Sequence, residues 1–381
     1  MKSFLWKIYL FRFLEAVKPI GVIFVLLFQH NGLTTFEISL LITIWSATQL
    51  VLEVPLGVFA DKYPRRNLLV IALLLLVAGY CLWLRGGFLF YALGFIFWGA
   101  KNALTSGTLE AFIYDELKHF GEVEKYEKVN GKLETFFWIG VTLSAISGGL
   151  IASLNFNFVL LASIFTTILS IILLMLMKPV QNAKSTGESK YLEILKEAIK
   201  EIRYNKKLLW ITIFFCLVFA TYGAADEYWS LVYQHIGIPL SVVGFFVAAG
   251  YGLFSIAGST LNLFKFKNSE TILIFVSGII FILAGILNSY LSIPLLLLAL
   301  YLFKISHIKW DVKFQHAIES GERATISSLK SLMFEIVYMG MVLSFGFSST
   351  KLGIMSIPSI LGIALLCFVT GLTLLSSKRT T

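Results

Sequence analysis

Apolar runs of about 20 residues alternate with short charged turns along the whole chain, and that rhythm admits few folds. About 20 apolar residues in a helix cross the hydrocarbon core of a bilayer. In lipid every backbone N–H and C=O must be satisfied internally, so such runs are helices. Twelve are readable, near 7–29, 36–60, 67–85, 88–114, 132–153, 157–177, 208–234, 240–264, 270–288, 292–313, 324–349 and 354–376. Composition agrees: of 381 residues 57% are hydrophobic and 14% charged, where a soluble domain carries about 25% charged. The sequence predicts an all-α integral membrane protein with twelve transmembrane helices.

Charge placement orients the spans. Loops on one side hold Lys62, Arg65, Arg66, Lys118, Lys125, Lys128, Lys265, Lys267 and Lys313, and the termini add Lys2, Lys7, Lys378 and Arg379. The opposite loops hold little beyond Arg85 and Lys351. The positive-inside rule then places both termini in the cytoplasm of a multi-pass cell-membrane protein. The net charge of +9 belongs to helix ends and anionic lipid head groups rather than to nucleic acid. The N-terminal stretch is interrupted by Arg12, Glu15 and Lys18, which no cleavable signal would be. Cys81, Cys216 and Cys367 all fall inside apolar runs, so they read as small hydrophobes with no disulfide framework.

The longest polar stretch, 178–207, divides the spans six and six. Its second part sets Leu192, Leu195, Ile199 and Ile202 against Glu193, Lys196, Lys200 and Arg203, the pattern of a helix lying on the membrane surface. Three parts are expected: an N-terminal six-helix bundle over 1–178, a cytoplasmic linker over 179–207 and a C-terminal six-helix bundle over 208–381. A shift of 201 positions sets Gly57 on Gly258, Asp61 on Asn262, Glu110 on Asp311 and Glu134 on Glu335, as in an internally repeated transporter.

The turn after the second span reads Gly57-Val-Phe-Ala-Asp61-Lys-Tyr-Pro64-Arg65-Arg66. It resembles the cytoplasmic loop signature of the major facilitator superfamily, roughly Gly-x-Leu-Ala-Asp-Arg-x-Gly-Arg-Arg. It departs from that pattern at Phe59, Lys62 and Pro64. The resemblance implies two six-helix bundles that rock in alternating access, and a conformational latch. Gly57 would admit a close helix approach, Asp61 would meet a helix N-terminus near Arg323, and Arg65 and Arg66 would pair with Asp115 or Glu116. The second-half copy is degenerate, with neutral Asn262. In the fifth span Gly148 and Gly149 partly match the family's antiporter motif, without its kinking proline.

A charge inside the membrane is costly and therefore a functional candidate. Arg12, Glu15 and Lys18 recur at i, i+3 and i+6 on or near one helix face. Lys101 and Lys304 reach toward the centre in each half, either to bind an anionic solute or to neutralise acids. Candidates to carry a coupling proton are Glu15, Asp226, Glu227, Glu110 and Glu335; candidates for the substrate cavity are Arg12, Lys18, Lys101 and Lys304. Glu15 reads equally as a partner of Arg12 or Lys18 within its own helix, and Asp226–Glu227 equally as a charged outer mouth. His307 and His316 read as solvated or lipid-facing, and Glu53 has no assigned role.

No phosphate-binding loop and no metal-ligand spacing occurs in the sequence, so no cofactor or metal is expected, nor enzyme activity. The reading is a secondary active transporter, monomeric, acting on a small-molecule substrate within the bilayer and driven by protons or another ion. Within it, export of a hydrophobic or amphipathic molecule leads, with uptake or exchange of an anionic solute and lipid flipping as alternatives. A membrane receptor or lipid-modifying enzyme is the competing class.

Overall fold

The computed structural model describes residues 1–60, 63–177, 205–318 and 323–377. Among them there is no strand, and fifteen α-helices follow one another. They are α1 (Lys2–Ala16), α2 (Ile20–His30), α3 (Thr35–Ala60), α4 (Arg65–Trp83), α5 (Phe88–Thr105), α6 (Thr108–His119), α7 (Tyr126–Ala152) and α8 (Phe156–Met175). Then come α9 (Lys206–Asp226), α10 (Trp229–His235), α11 (Leu240–Ser259), α12 (Ser269–Leu287), α13 (Ser292–Ala317), α14 (Arg323–Leu352) and α15 (Ser356–Ser377). Nine of the described helices are long and apolar enough to cross a bilayer. Large apolar side chains such as Leu74, Leu89, Phe158, Phe165, Ile172 and Ile286 stand exposed, the surface a protein solvated by lipid presents.

Three predicted spans are interrupted: α1 and α2 share the first, α5 and α6 the fourth, α9 and α10 the seventh. Counting each pair once gives the expected twelve. The first break has a plain cause. Pro19 lacks an N–H and pushes the residues before it out of helical geometry, and Val17 sits at φ −76°, ψ 80°. Lys18 therefore leaves the helical register that would have stacked it above Arg12 and Glu15. The second break is at Ser106–Gly107, where Gly107 takes φ +69°, a conformation glycine adopts freely. The third is milder, because Glu227 and Tyr228 stay near right-handed helical geometry and no proline or positive-φ glycine marks it.

The chain forms two compact units, Met1–Thr186 with Pro239–Ala248 and Gly187–Ile238 with Ala249–Thr381. In the first, α1 packs on α7 and α8, α4 on α5 and α8, and α3 on α5. Small residues set those distances, since lipid offers no hydrophobic drive between helices. A Cβ at Gly99 on α5 would lie 2.7 Å from Trp45 O on α3, and one at Gly140 on α7 2.7 Å from Phe13 O on α1. Gly148, read above as a trace of an antiporter motif, likewise backs onto Pro19 O at 2.7 Å. It seats the broken first span. In the second unit, α9 packs on α14, α15 and α13, and α12 on α13 and α15.

Candidate functional site

The break in the first span would strand backbone groups inside the bilayer, and α8 satisfies them. Thr166 Oγ1 donates to Val17 O at 2.6 Å, and Ile20 N donates to Ser163 Oγ at 3.0 Å. With its ends fixed in this way, the break holds Lys18 beside Glu15. Lys18 Nζ donates to Glu15 Oε1 at 3.3 Å, Lys101 Nζ from α5 to the same oxygen at 3.0 Å, and Arg12 Nη1 to Oε2 at 2.9 Å. Glu15 is only 7% exposed and Lys101 6%. One carboxylate thus serves three cations. Arg12 also reaches Glu134 on α7 at 3.5 Å and lies 4.1 Å from the centre of the Phe137 ring. At low dielectric such contacts strengthen, and each charge depends on its partners remaining in place.

This cluster walls a cavity of about 240 Å³ within the N-terminal unit. Arg12, Glu15, Lys101 and Glu110 line it, together with Gln49 and Asn102. Asn102 Nδ2 donates to Gln49 Oε1 at 3.0 Å across α5 and α3. Glu110 enters from the first turn of α6, just beyond the break at Gly107. Gln49 and Asn102 were absent from the sequence-based candidates, although an amide inside an apolar run is a signal in itself.

In the C-terminal unit the acids meet tyrosines. Tyr222 donates to Asp226 Oδ1 at 3.1 Å, and Tyr338 on α14 donates to Glu227 Oε1 at 2.8 Å. Asp226 and Glu227 therefore turn to different partners despite being adjacent. Glu335, one turn before Tyr338, lies within electrostatic reach of Glu227. Lys304 Nζ sits 5.2 Å from the centre of the Phe254 ring and lies within electrostatic reach of Asp226, with no direct ion pair among the described residues. His307 is a correction: it is neither solvated nor lipid-facing but packs edge-on to Phe219, ring centres 4.7 Å apart, and near Phe215. His316 is exposed, as expected.

Of the latch candidates, Arg65 Nη1 pairs with Asp115 Oδ2 at 3.1 Å. Arg66 Nη1 instead donates to Met177 O at 2.8 Å, capping the end of the sixth span. Glu116 is buried at 3% exposure. Pro64 stands at the N-terminal boundary of α4 with φ −58°, a position that suits its fixed geometry. Among the described residues, a Cβ at Gly57 would meet nothing within 4 Å. Asp61 and the side chain of Arg323 lie outside the described residues. So does the stretch 178–204, with the amphipathic helix read there. Both partners of the Arg65–Asp115 pair are about a quarter exposed. A double-mutant cycle of Arg65→Ala and Asp115→Ala, read by thermal unfolding in detergent, should return a coupling of about 1 kcal/mol or less.

A profile of the Major Facilitator Superfamily matches residues 8–310. The chain belongs to the major facilitator superfamily. It is 24% identical over 241 residues to an uncharacterised MFS-type transporter, YxaM, of Bacillus subtilis strain 168; the match takes in 61% of this chain and 58% of that protein's length. Its fold is similar to the crystal structure of the nucleoside transporter NupG, with TM-score 0.80 and 12% identity over 97% of this chain and 98% of that one. A bacterial homologue of the human lysosomal transporter Spinster gives TM-score 0.74 and 14% identity over 98% and 95%. A D-xylose–proton symporter gives 0.68 and 11% over 96% of each chain. At these identities the likeness carries the fold. As a superfamily member the chain is a multi-pass membrane protein of a transporter family.

Proposed function

We propose that this transporter is a proton-coupled secondary carrier of a small polar solute, working by the alternating access of bundles 1–178 and 208–381 joined by the linker 179–207. The observation that carries this reading is the N-terminal cavity, where Glu15 is held by Arg12, Lys18 and Lys101 beside Gln49, Asn102 and Glu110. A chamber lined by paired charges and amides suits a solute with polar groups of its own. It disfavours a purely apolar one, which would leave those groups unmatched. The charged and amide groups favour an anionic solute over a purely hydrophobic one, and Phe11, Leu69, Leu73 and Leu109 on the same wall offer contact to its apolar part. In the second unit Asp226, Glu227 and Glu335 are candidates to carry the proton. By the positive-inside rule we place the carrier in the cell membrane with both termini cytoplasmic.

Export of an amphipathic molecule, or lipid flipping, is favoured by one set of contacts: the ring row Phe219–His307 and Tyr222–Phe303 beside Lys304 and Phe254. Proteoliposomes with a pH dye inside separate the readings when challenged with small carboxylates, nucleosides, sugars and lipophilic cations. Solute-dependent proton flux that is lost in Glu15→Gln is expected. Flux that ignores pH and survives Glu15→Gln, Asp226→Asn and Glu227→Gln would remove proton coupling.

The tyrosine contact gives a sharper check. A hydrogen bond to a charged carboxylate contributes about 1.5–3 kcal/mol, and Tyr338→Phe removes it from Glu227. With that bond gone, the pH–flux profile of the variant should differ from that of wild type. An unmoved profile would separate Glu227 from coupling.

A further inference from the structure

The carboxylate of Glu15 is surrounded as a bound ligand would be. One oxygen lies between two ammonium groups and the other on a guanidinium, and all four groups come from elements that converge on one cavity. Arg12, Glu15 and Lys101 also line that cavity. We infer that Glu15 is an internal stand-in for the substrate's own carboxylate, and that the transported solute is a small carboxylate. This rests on the transporter reading above and names its substrate class.

Charge conservation drives the argument. The cluster holds three cations against Glu15 and the half-exposed Glu134. If an uncharged solute displaced Glu15, buried cations would be left without an anion, a strongly unfavourable state. When a carboxylate enters and Glu15 takes one proton from the medium, the sum of charge around Arg12 and Lys101 is unchanged. The only bond formed is the O–H bond of the Glu15 carboxyl group. Lys101 and Arg12 then turn from Glu15 to the solute. The planar two-oxygen geometry of the present occupant matches a carboxylate. Gln49, Asn102 and Thr105 also line the cavity and can receive a hydroxyl or carbonyl on the solute, while Phe11, Leu69, Leu73 and Leu109 line an apolar part of the same wall. A volume of about 240 Å³ lies below the roughly 300–1,000 Å³ that drug-sized ligands occupy, so the solute is small.

The groups facing Glu15 are Arg12 on its own helix, Lys18 at the break and Lys101 on α5. Tyr80 on α4 is within electrostatic reach. Glu134 on α7 acts through Arg12, and Glu110 on α6 lies across the cavity. Of these, Glu15 is the carboxylate that the entering anion would replace.

The test is binding to the purified full-length chain by calorimetry, with benzoate and lactate against benzamide and lactamide, between pH 6 and 8, where the acids stay ionised. Carboxylates should bind and the amides should not. Each bound carboxylate should bring one proton, so affinity should rise about tenfold per unit fall in pH. Lys101→Met should weaken binding at least tenfold. Glu15→Gln should bind without pH dependence, and more tightly than wild type at pH 8. Should that variant fail to fold, the wild-type pH series and Lys101→Met decide alone. Equal binding of amides, pH-independent binding to wild type, or full binding to Lys101→Met overturns the stand-in. If no carboxylate binds while proteoliposomes carry another solute with protons, the stand-in falls and the transporter reading stands. If no solute moves protons at all, it is the proton-coupled reading that fails.

Discussion

Glu15→Ala should destabilise the N-terminal unit by about 3–5 kcal/mol, the cost of removing one partner from a buried ion pair, and should abolish transport. The expectation follows from the shape of the cluster. Arg12, Lys18 and Lys101 all make hydrogen bonds to this one carboxylate, and Lys101 is only 6% exposed. Arg12 keeps Glu134 and the Phe137 ring, so the loss falls chiefly on the two lysines. Glu134→Ala is the control. Its side chain is 52% exposed and sits 3.5 Å from Arg12, so it should change stability by about 1 kcal/mol or less. Thermal unfolding in detergent micelles, with solute flux measured in parallel, distinguishes the two. Equal melting of Glu15→Ala and wild type would mean that the cluster does not hold the first span in place.

The second large effect concerns glycines. Gly99→Val should prevent α3 and α5 from closing and should sharply reduce the folded yield. Even the first carbon of a side chain there would stand 2.7 Å from Trp45 O and 2.8 Å from Thr48 Cβ. Backbone cannot move aside cheaply, and overpacking of this kind costs about 1–3 kcal/mol or more. Gln49 follows Thr48 by one residue and meets Asn102 across the same helix pair, so a forced separation would also pull the cavity wall apart. Gly57→Ala is the instructive contrast. Gly57 belongs to the family loop signature, yet among the described residues nothing lies within 4 Å of its Cβ position. Alanine there should be neutral, or stabilising by up to about 1 kcal/mol through helix propensity. Size-exclusion profiles and folded yield after detergent extraction read both. A well-folded Gly99→Val protein would show that α3 and α5 tolerate a wider spacing.

Much of the site was legible because lipid makes charge expensive. Any ionisable group inside an apolar run is conspicuous, which is how Arg12, Glu15, Lys18, Lys101 and Glu110 were picked out. What linear spacing could not tell was which of them meet. Helical periodicity puts Arg12, Glu15 and Lys18 on a single ridge. The break before Pro19 instead carries Lys18 off the helix, while Lys101 arrives from α5, 86 residues away. By spacing, Lys101 and Lys304 look alike; one bonds Glu15 directly, and the other lies against a phenylalanine ring and reaches Asp226 only at longer range. The histidine at 307 looked solvated because charged residues flank it in sequence, yet its own face of α13 turns to the rings of α9.

The sequence by itself determined the solvent, the number of spans and the family. Each follows from local properties: the length of an apolar run, the charged turns between runs, and a ten-residue loop signature. Tertiary structure decided the pairings. Three cations converge on Glu15 because Gly140 and Gly148 let α7 press against the interrupted first span, and because Ser163 and Thr166 satisfy its open backbone. Those contacts join residues more than 120 positions apart. A chain brings such residues together only when its helices pack, so no local pattern could have announced them.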